Sequence, residues 1–256
     1  MDSQIAYVKD LVSLKKSTIP LPGKTAFWAG FFYLLTFVSI PTLFLYQPIY
    51  EPDYLLSNSN DNIIVMGGIL EIIVALCCII SSIILFSVLK KQNETLALGL
   101  VAARILEAAT IFVGVAFLLG AITLHQQGGG ESSIAVSRAL VALYDRVFVL
   151  GQGFMPAIND LLLGVLLYKF RLAPRWLSLI GIIGAFPLFA SYFALMFGLI
   201  ERKSHITGAS AFMVAFFEFT LGIYFLIKGI KKRQPNNLIA KFDNGNTEYS
   251  NAPTFY

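Results

Sequence analysis

The stretch Leu98 to Ala121 reads LGLVAARILEAATIFVGVAFLLGA. It is apolar and free of proline, yet it carries Arg104 and Glu107 in its first half. A hydrocarbon core about 30 Å thick is crossed by a helix of about 20 apolar residues, so this run is long enough to span one. Nothing in it alternates as a half-buried strand would. It therefore predicts a membrane helix that tolerates one base and one acid.

The rest of the chain extends that reading. Of 256 residues, 57% are hydrophobic and 13% charged, where an ordinary soluble domain carries about 25% charged residues. The mean hydropathy is +0.73. Six apolar stretches, at roughly 26–45, 63–89, 97–124, 147–168, 176–200 and 209–230, predict six spans. The expected fold is an all-α polytopic membrane bundle of six transmembrane helices. Residues 1–25 would precede it as a cytoplasmic segment, and 231–256 would follow as a polar, disordered cytoplasmic tail. The first apolar run starts after a long polar lead and is too long for a signal-peptide core, so it is expected to remain as the first span.

Charge sets the expected threading. Fourteen of the nineteen Lys and Arg residues fall on one side of the predicted spans. They lie before Ala26, at Lys90 and Lys91, at Lys169 to Arg175, and from Lys228 onward. Arg138, Arg146, Arg202 and Lys203 fall on the other side. The positive-inside rule then places both termini in the cytoplasm. Because the basic residues recur at alternate span ends rather than in one patch, the net charge of +4 argues against nucleic-acid binding. The expected partners are the lipid bilayer and a small solute or a proton.

Charge inside the spans is the functional signal. A lipid-facing ion costs about 2.5–3.5 kcal/mol on insertion scales, so such groups turn inward. The chain places Glu71, Arg104, Glu107, Asp160 and Glu218 within apolar runs, with Asn159 beside Asp160. Arg104 and Glu107, at i and i+3, share a helix face and partly neutralise each other. The guanidinium fork can also take a second carboxylate, and Glu218 and Asp160 are the candidates. With one Arg among several acids, at least one acid lacks a full positive partner and can carry a proton. The candidate proton or substrate site is Arg104, Glu107, Glu218, Asn159 and Asp160, with Glu71 and Gln152 secondary. A buried ion-pair knot that only fixes helix order is the alternative.

Weaker signals surround these. Pro41 and Pro187 can kink the first and fifth spans. Gly151, Gln152, Gly153 and Pro156 can interrupt the fourth span and expose backbone to a ligand, or can simply permit a tight crossing. Residues Ser132 to Arg146 predict either an interfacial helix or a polar extension of the fourth span, with Arg138, Ala142 and Asp145 on one face. Cys77 and Cys78 are adjacent, cannot close a loop, and are read as packing residues. Both histidines, His125 and His205, lie in connections between spans, so no intramembrane His metal site or bis-His haem is available, and no cofactor is expected. No nucleophile–base pair or phosphate-binding loop is present, which disfavours an enzyme.

Three motifs occur in order: RILEAATIFVG in the third span, LGQGFMPAINDLLLGVLLYKFRLAPRWLSLIGIIG across the fourth and fifth, and AFFEFTLGIYFLIKGIKK in the sixth. In this order they resemble the DUF4386 family, mostly bacterial six-span integral membrane proteins. The resemblance covers roughly residues 23–233. It implies a fold and a membrane location, and no activity. The family pattern falls on Arg104, Glu107, Asn159, Leu161 to Gly164, Pro174, Arg175 and Glu218, while Asp160 and Gln152 depart from it. The best functional expectation is a proton-linked small-solute carrier at the cell membrane, with a non-catalytic membrane scaffold or subunit as the alternative.

Overall fold

The structure, a computed structural model, describes residues 23–57, 59–128, 131–202 and 204–230. The predicted tail 231–256 and all but the last residues of the N-terminal segment 1–25 lie outside the described residues. The main helices are α1 (Lys24–Leu35), α2 (Thr42–Leu45), α3 (Asp61–Leu89), α4 (Glu94–Gln126), α5 (Glu131–Phe148), α6 (Met155–Lys169), α7 (Arg175–Met196) and α8 (His205–Ile227). Short 3₁₀ turns lie at Thr36–Ser39, Gln47–Tyr50 and Tyr54–Leu56, and a π-helical stretch at Val149–Phe154 joins α5 to α6. No strand occurs among the described residues.

Local chemistry explains where the helices begin and end. The side chains of Asn60, Asn93 and Ser204 accept from the backbone N–H of Asn62, Leu96 and Thr207 and so cap α3, α4 and α8. Such caps satisfy donors that the first turn leaves free. Helix α7 ends where Leu199 N–H reaches back to the Ala194 carbonyl at 2.9 Å. That closure needs the left-handed backbone of Gly198, at φ 71°, which glycine adopts without a side-chain clash.

The first predicted span is broken. Between α1 and α2 the Thr36, Ser39 and Thr42 hydroxyls donate to the carbonyls three residues back, at 2.7, 3.3 and 2.7 Å. Pro41 has no N–H to continue the ladder. The chain tightens into a 3₁₀ turn there, so the expected kink is a true interruption. Pro187, by contrast, sits inside an unbroken α7.

Packing arranges six helical runs as a closed ring. Contacts run from α1 to α3, α3 to α4, α4 to α6, α6 to α7, α7 to α8, and α8 back to α1. Helix α5 lies against α4 beyond this ring. One end is held by Leu89, Leu172, Ala173 and Phe225. The other is held by Tyr54, Leu55, Ile64, Leu118 and Val141. Ring closure between α1 and α8 is intimate: a Cβ on Gly30 would lie 2.6 Å from the Gly222 carbonyl oxygen.

The outside of the ring is apolar. Phe112, Phe186, Phe197, Phe212 and Phe219 are all exposed, while Arg104, Glu107, Asn159 and Asp160 are buried. A water-soluble bundle does not carry so large an apolar surface. Five runs are long and apolar enough to cross a membrane: Lys24–Leu45, Asp61–Leu89, Glu94–Gln126, Arg175–Met196 and His205–Ile227. The protein is all-helical, and its surface points to a membrane-embedded chain. The region predicted as the fourth span falls on the π-helical stretch and α6, which is only 15 residues long. Its polar lead is a helix continuous with it, as the extension reading expects, rather than a separate interfacial helix.

Candidate functional site

Helix α4 has a buried stripe of Leu100, Ala103, Arg104, Glu107, Ala108, Ile111 and Gly114. Its opposite face exposes Leu98, Ile105, Leu106 and Phe112. The spacing of three and four residues turns both charged groups into the ring. Arg104 is 3% exposed and Glu107 4%.

The Arg104 guanidinium meets four partners. One terminal nitrogen donates to Glu107 Oε2 at 3.1 Å and to Cys78 Sγ at 3.5 Å. The other donates to Glu218 Oε1 at 2.6 Å and to the Tyr33 hydroxyl at 2.6 Å. The guanidinium carbon also lies 4.9 Å from the Tyr33 ring centroid. Four elements of the ring, α1, α3, α4 and α8, are thus joined through one side chain. From α6, Asn159 Nδ2 donates to Glu107 Oε2 at 2.7 Å, which brings in a fifth.

Among the residues read from sequence, the structure gathers Arg104, Glu107, Glu218 and Asn159 directly. Asp160 is treated differently. It is wholly buried, but neither carboxylate oxygen has a hydrogen-bond partner, and Asn159 Oδ1 also has none. The expected second carboxylate on the guanidinium is Glu218, not Asp160. Cys78, read as packing alone, contacts the cation. Tyr33 was not anticipated. Its signal was a single hydroxyl-bearing ring in the run GFFYLL, and only the position of α1 in the ring gives that hydroxyl a meaning.

A cleft of about 170 Å³ reaches this cluster. Arg104, Glu107 and Glu218 line its floor, with Thr36 and Ser39 of the broken first helix on one side and Gln152 and Pro156 on another. Two helix irregularities therefore flank one buried ion-pair centre. The second has a local cause. An α-helical carbonyl at Gln152 needs the N–H of residue 156, which proline lacks. A widened π turn accommodates the loss. A Cβ at Gly151 would overlap the Thr110 side chain, and one at Gly153 would overlap the Tyr192 ring. The glycines of LGQGFMP thus let α4 and α7 close on a widened turn. The helix is distorted but does not unwind.

The secondary residues form another buried group. Glu71 is 1% exposed, and its Oε1 accepts from the Tyr144 hydroxyl at 2.8 Å. Helix α3 starts at Asp61, so Glu71 sits well inside the bundle rather than at an interface. Near the Tyr54 end, Arg202 pairs with Asp145, and the Tyr50 hydroxyl donates to the same carboxylate at 2.7 Å. Burial first, and then that hydrogen bond, push the Tyr50 hydroxyl above the ordinary tyrosine range, so it stays a donor. His125, expected in a connection, occupies the last turn of α4. It bonds Asp61 Oδ1 and the Ser57 carbonyl, each at 2.8 Å.

A family model described as Domain of unknown function (DUF4386) matches residues 28–229. That range holds every residue of the cluster. No curated protein matches the chain, and no solved structure does.

Proposed function

We propose a carrier function for this chain, which belongs to the DUF4386 family: it moves a small solute, or protons alone, across the cell membrane with proton exchange at the carboxyls around Arg104. The observation that supports this is the cleft opening on the Arg104–Glu107–Glu218 centre between the interrupted first helix and the π-distorted turn of the fourth. A helix interrupted beside an intramembrane charge site is an arrangement many carriers use to release and rebind a ligand. One guanidinium stands among three carboxyls, so the site takes up protons or a cation to approach neutrality in an apolar surrounding. Glu218 is the most accessible of the three, its side chain 14% exposed, and is the group we assign to exchange.

In this reading the π turn and α6 make a sixth crossing, with α5 as its polar lead. It accompanies the five long apolar helices, and both termini face the cytoplasm, in line with the distribution of Lys and Arg. Residues 1–25 and 231–256 are then cytoplasmic.

A second reading has its own support. Arg104 meets four acceptors drawn from four ring elements. A scaffold whose ion pairs only fix helix order would look the same at that residue.

Proton flux separates the two. The purified chain is placed in liposomes with an entrapped pH dye, and a potassium diffusion potential is applied. The carrier reading expects protein-dependent proton uptake that Glu218→Gln abolishes while the protein stays folded. Wild-type liposomes that match empty ones, with and without a panel of small amines and acids, would leave the scaffold.

A further inference from the structure

Glu71 lies seven residues before Cys78 on α3. Seven residues are close to two helical turns, so Glu71 faces the same side as the cysteine that touches Arg104, about 10 Å nearer the Tyr54 end. Its surroundings are a half-finished hydrogen-bond network. Tyr144 donates to Oε1 at 2.8 Å. Oε2 has no partner, and neither does the buried Tyr46 hydroxyl. Tyr46 and Gln152 both face this carboxylate. The Tyr46 and Tyr144 rings meet edge to face at 5.6 Å. Tyr46 fits there because α3 has Gly67, where any Cβ would overlap the ring.

Two features tie this group to the centre and to the surface. Gln152 faces Glu71 and also lines the cleft that holds Arg104, Glu107 and Glu218. It is carried on the π turn, the kind of helix irregularity that recurs at functional sites. Toward the Tyr54 end, Tyr50 and Asp145 continue the polar line, and the Asp145 side chain is 35% exposed. A buried acid with a free oxygen, flanked by three hydroxyl or amide groups, has no structural need for so many incomplete bonds.

We infer that Glu71 is a second proton-binding site, a relay station between the Asp145 surface and the central cluster, linked to that cluster across Gln152. This rests on the carrier reading and adds the route to it. In the step, the O–H bond at Glu71 breaks, and the proton passes through water admitted beside Gln152 to a carboxylate of the Glu107–Glu218 pair, where a new O–H bond forms. No heavy-atom bond changes. The Tyr46 and Tyr144 hydroxyls hold the Glu71 anion after release, and the next proton comes from solvent at the Tyr50–Asp145 end: the O–H bond of a hydronium ion breaks as the O–H bond at Glu71 re-forms, leaving water.

The test uses the full chain in dye-loaded liposomes, alongside the infrared C=O stretching band of protonated carboxyls followed as pH changes. Glu71→Gln is expected to bring proton flux down to that of empty liposomes and to remove one pH-sensitive carboxyl band, with unfolding temperature little changed. Gln152→Leu, which leaves the carboxyl in place, is expected to keep that band and lose the flux; it also serves if Glu71→Gln does not fold. Wild-type flux with an undiminished rate in either variant overturns the relay and leaves the carrier reading intact. Absence of wild-type flux overturns both.

Discussion

Arg104 and Glu218 stand 114 residues apart in the chain and 2.6 Å apart in space. Their contact exists only because α8 returns to close the ring against α1. Removing one member of such a buried set strands the others. Arg104→Met is expected to destabilise the folded protein by about 3–5 kcal/mol, whereas replacing Arg104, Glu107 and Glu218 together by apolar residues of similar size should recover most of that loss. Thermal unfolding in detergent checks both. A single variant as stable as wild type would mean the ion pairs contribute little.

Asp160 predicts the opposite behaviour. Its carboxyl oxygens are buried and unpartnered, and an unsatisfied buried polar group costs about 1–3 kcal/mol. Asp160→Leu should therefore leave stability unchanged or raise it. A marked fall in unfolding temperature would show that Asp160 has a structural partner.

The α1–α8 seam offers a steric test. An alanine at Gly30 meets backbone, with the Gly222 oxygen at 2.6 Å and the Leu226 nitrogen at 2.9 Å. Backbone cannot swing aside, so Gly30→Ala should destabilise by about 1–3 kcal/mol. Gly208, inside α8, has nothing within 4 Å of its added Cβ. Gly208→Ala should instead be neutral or stabilise by up to about 1 kcal/mol, since alanine favours the helix. Unfolding curves of the two variants, run side by side, decide.

Between Asp145 and Arg202 the expectation is modest. Their side chains are 35% and 30% exposed. A double-mutant cycle should give a coupling of at most about 1 kcal/mol, declining with added salt. A larger, salt-insensitive coupling would mark the pair as a latch rather than a surface contact.

How much of this was legible in the sequence varies with the range of the interaction. The Arg104–Glu107 pair could be read directly, because three residues along one helix fix the geometry. The inward turn of the charged residues followed from the energetics of lipid. The choice of Glu218 over Asp160 as the second carboxylate could not be read, since it depends on which helices become neighbours. Tyr33 was hidden for the same reason. The motif LGQGFMP announced an irregularity, but whether it would unwind or widen depended on Thr110 and Tyr192 occupying the space beside its glycines. Glu71 and Cys78 were a missed opportunity: their seven-residue spacing already put both on one face of α3.

The closed ring has a consequence for biosynthesis. The ribosome delivers α4 long before α8, so Arg104 enters the translocon with Glu107 as the one acid within reach on its own helix. The i,i+3 spacing acts as an escort, keeping the cation tolerable until its distant carboxylate is made. Synthesis of the last helix then becomes the assembly checkpoint: a nascent chain stopped before Glu218 holds an Arg104 that lacks its shortest ion pair and an α1 with no seam to close, which is the kind of half-built product that membrane quality control removes.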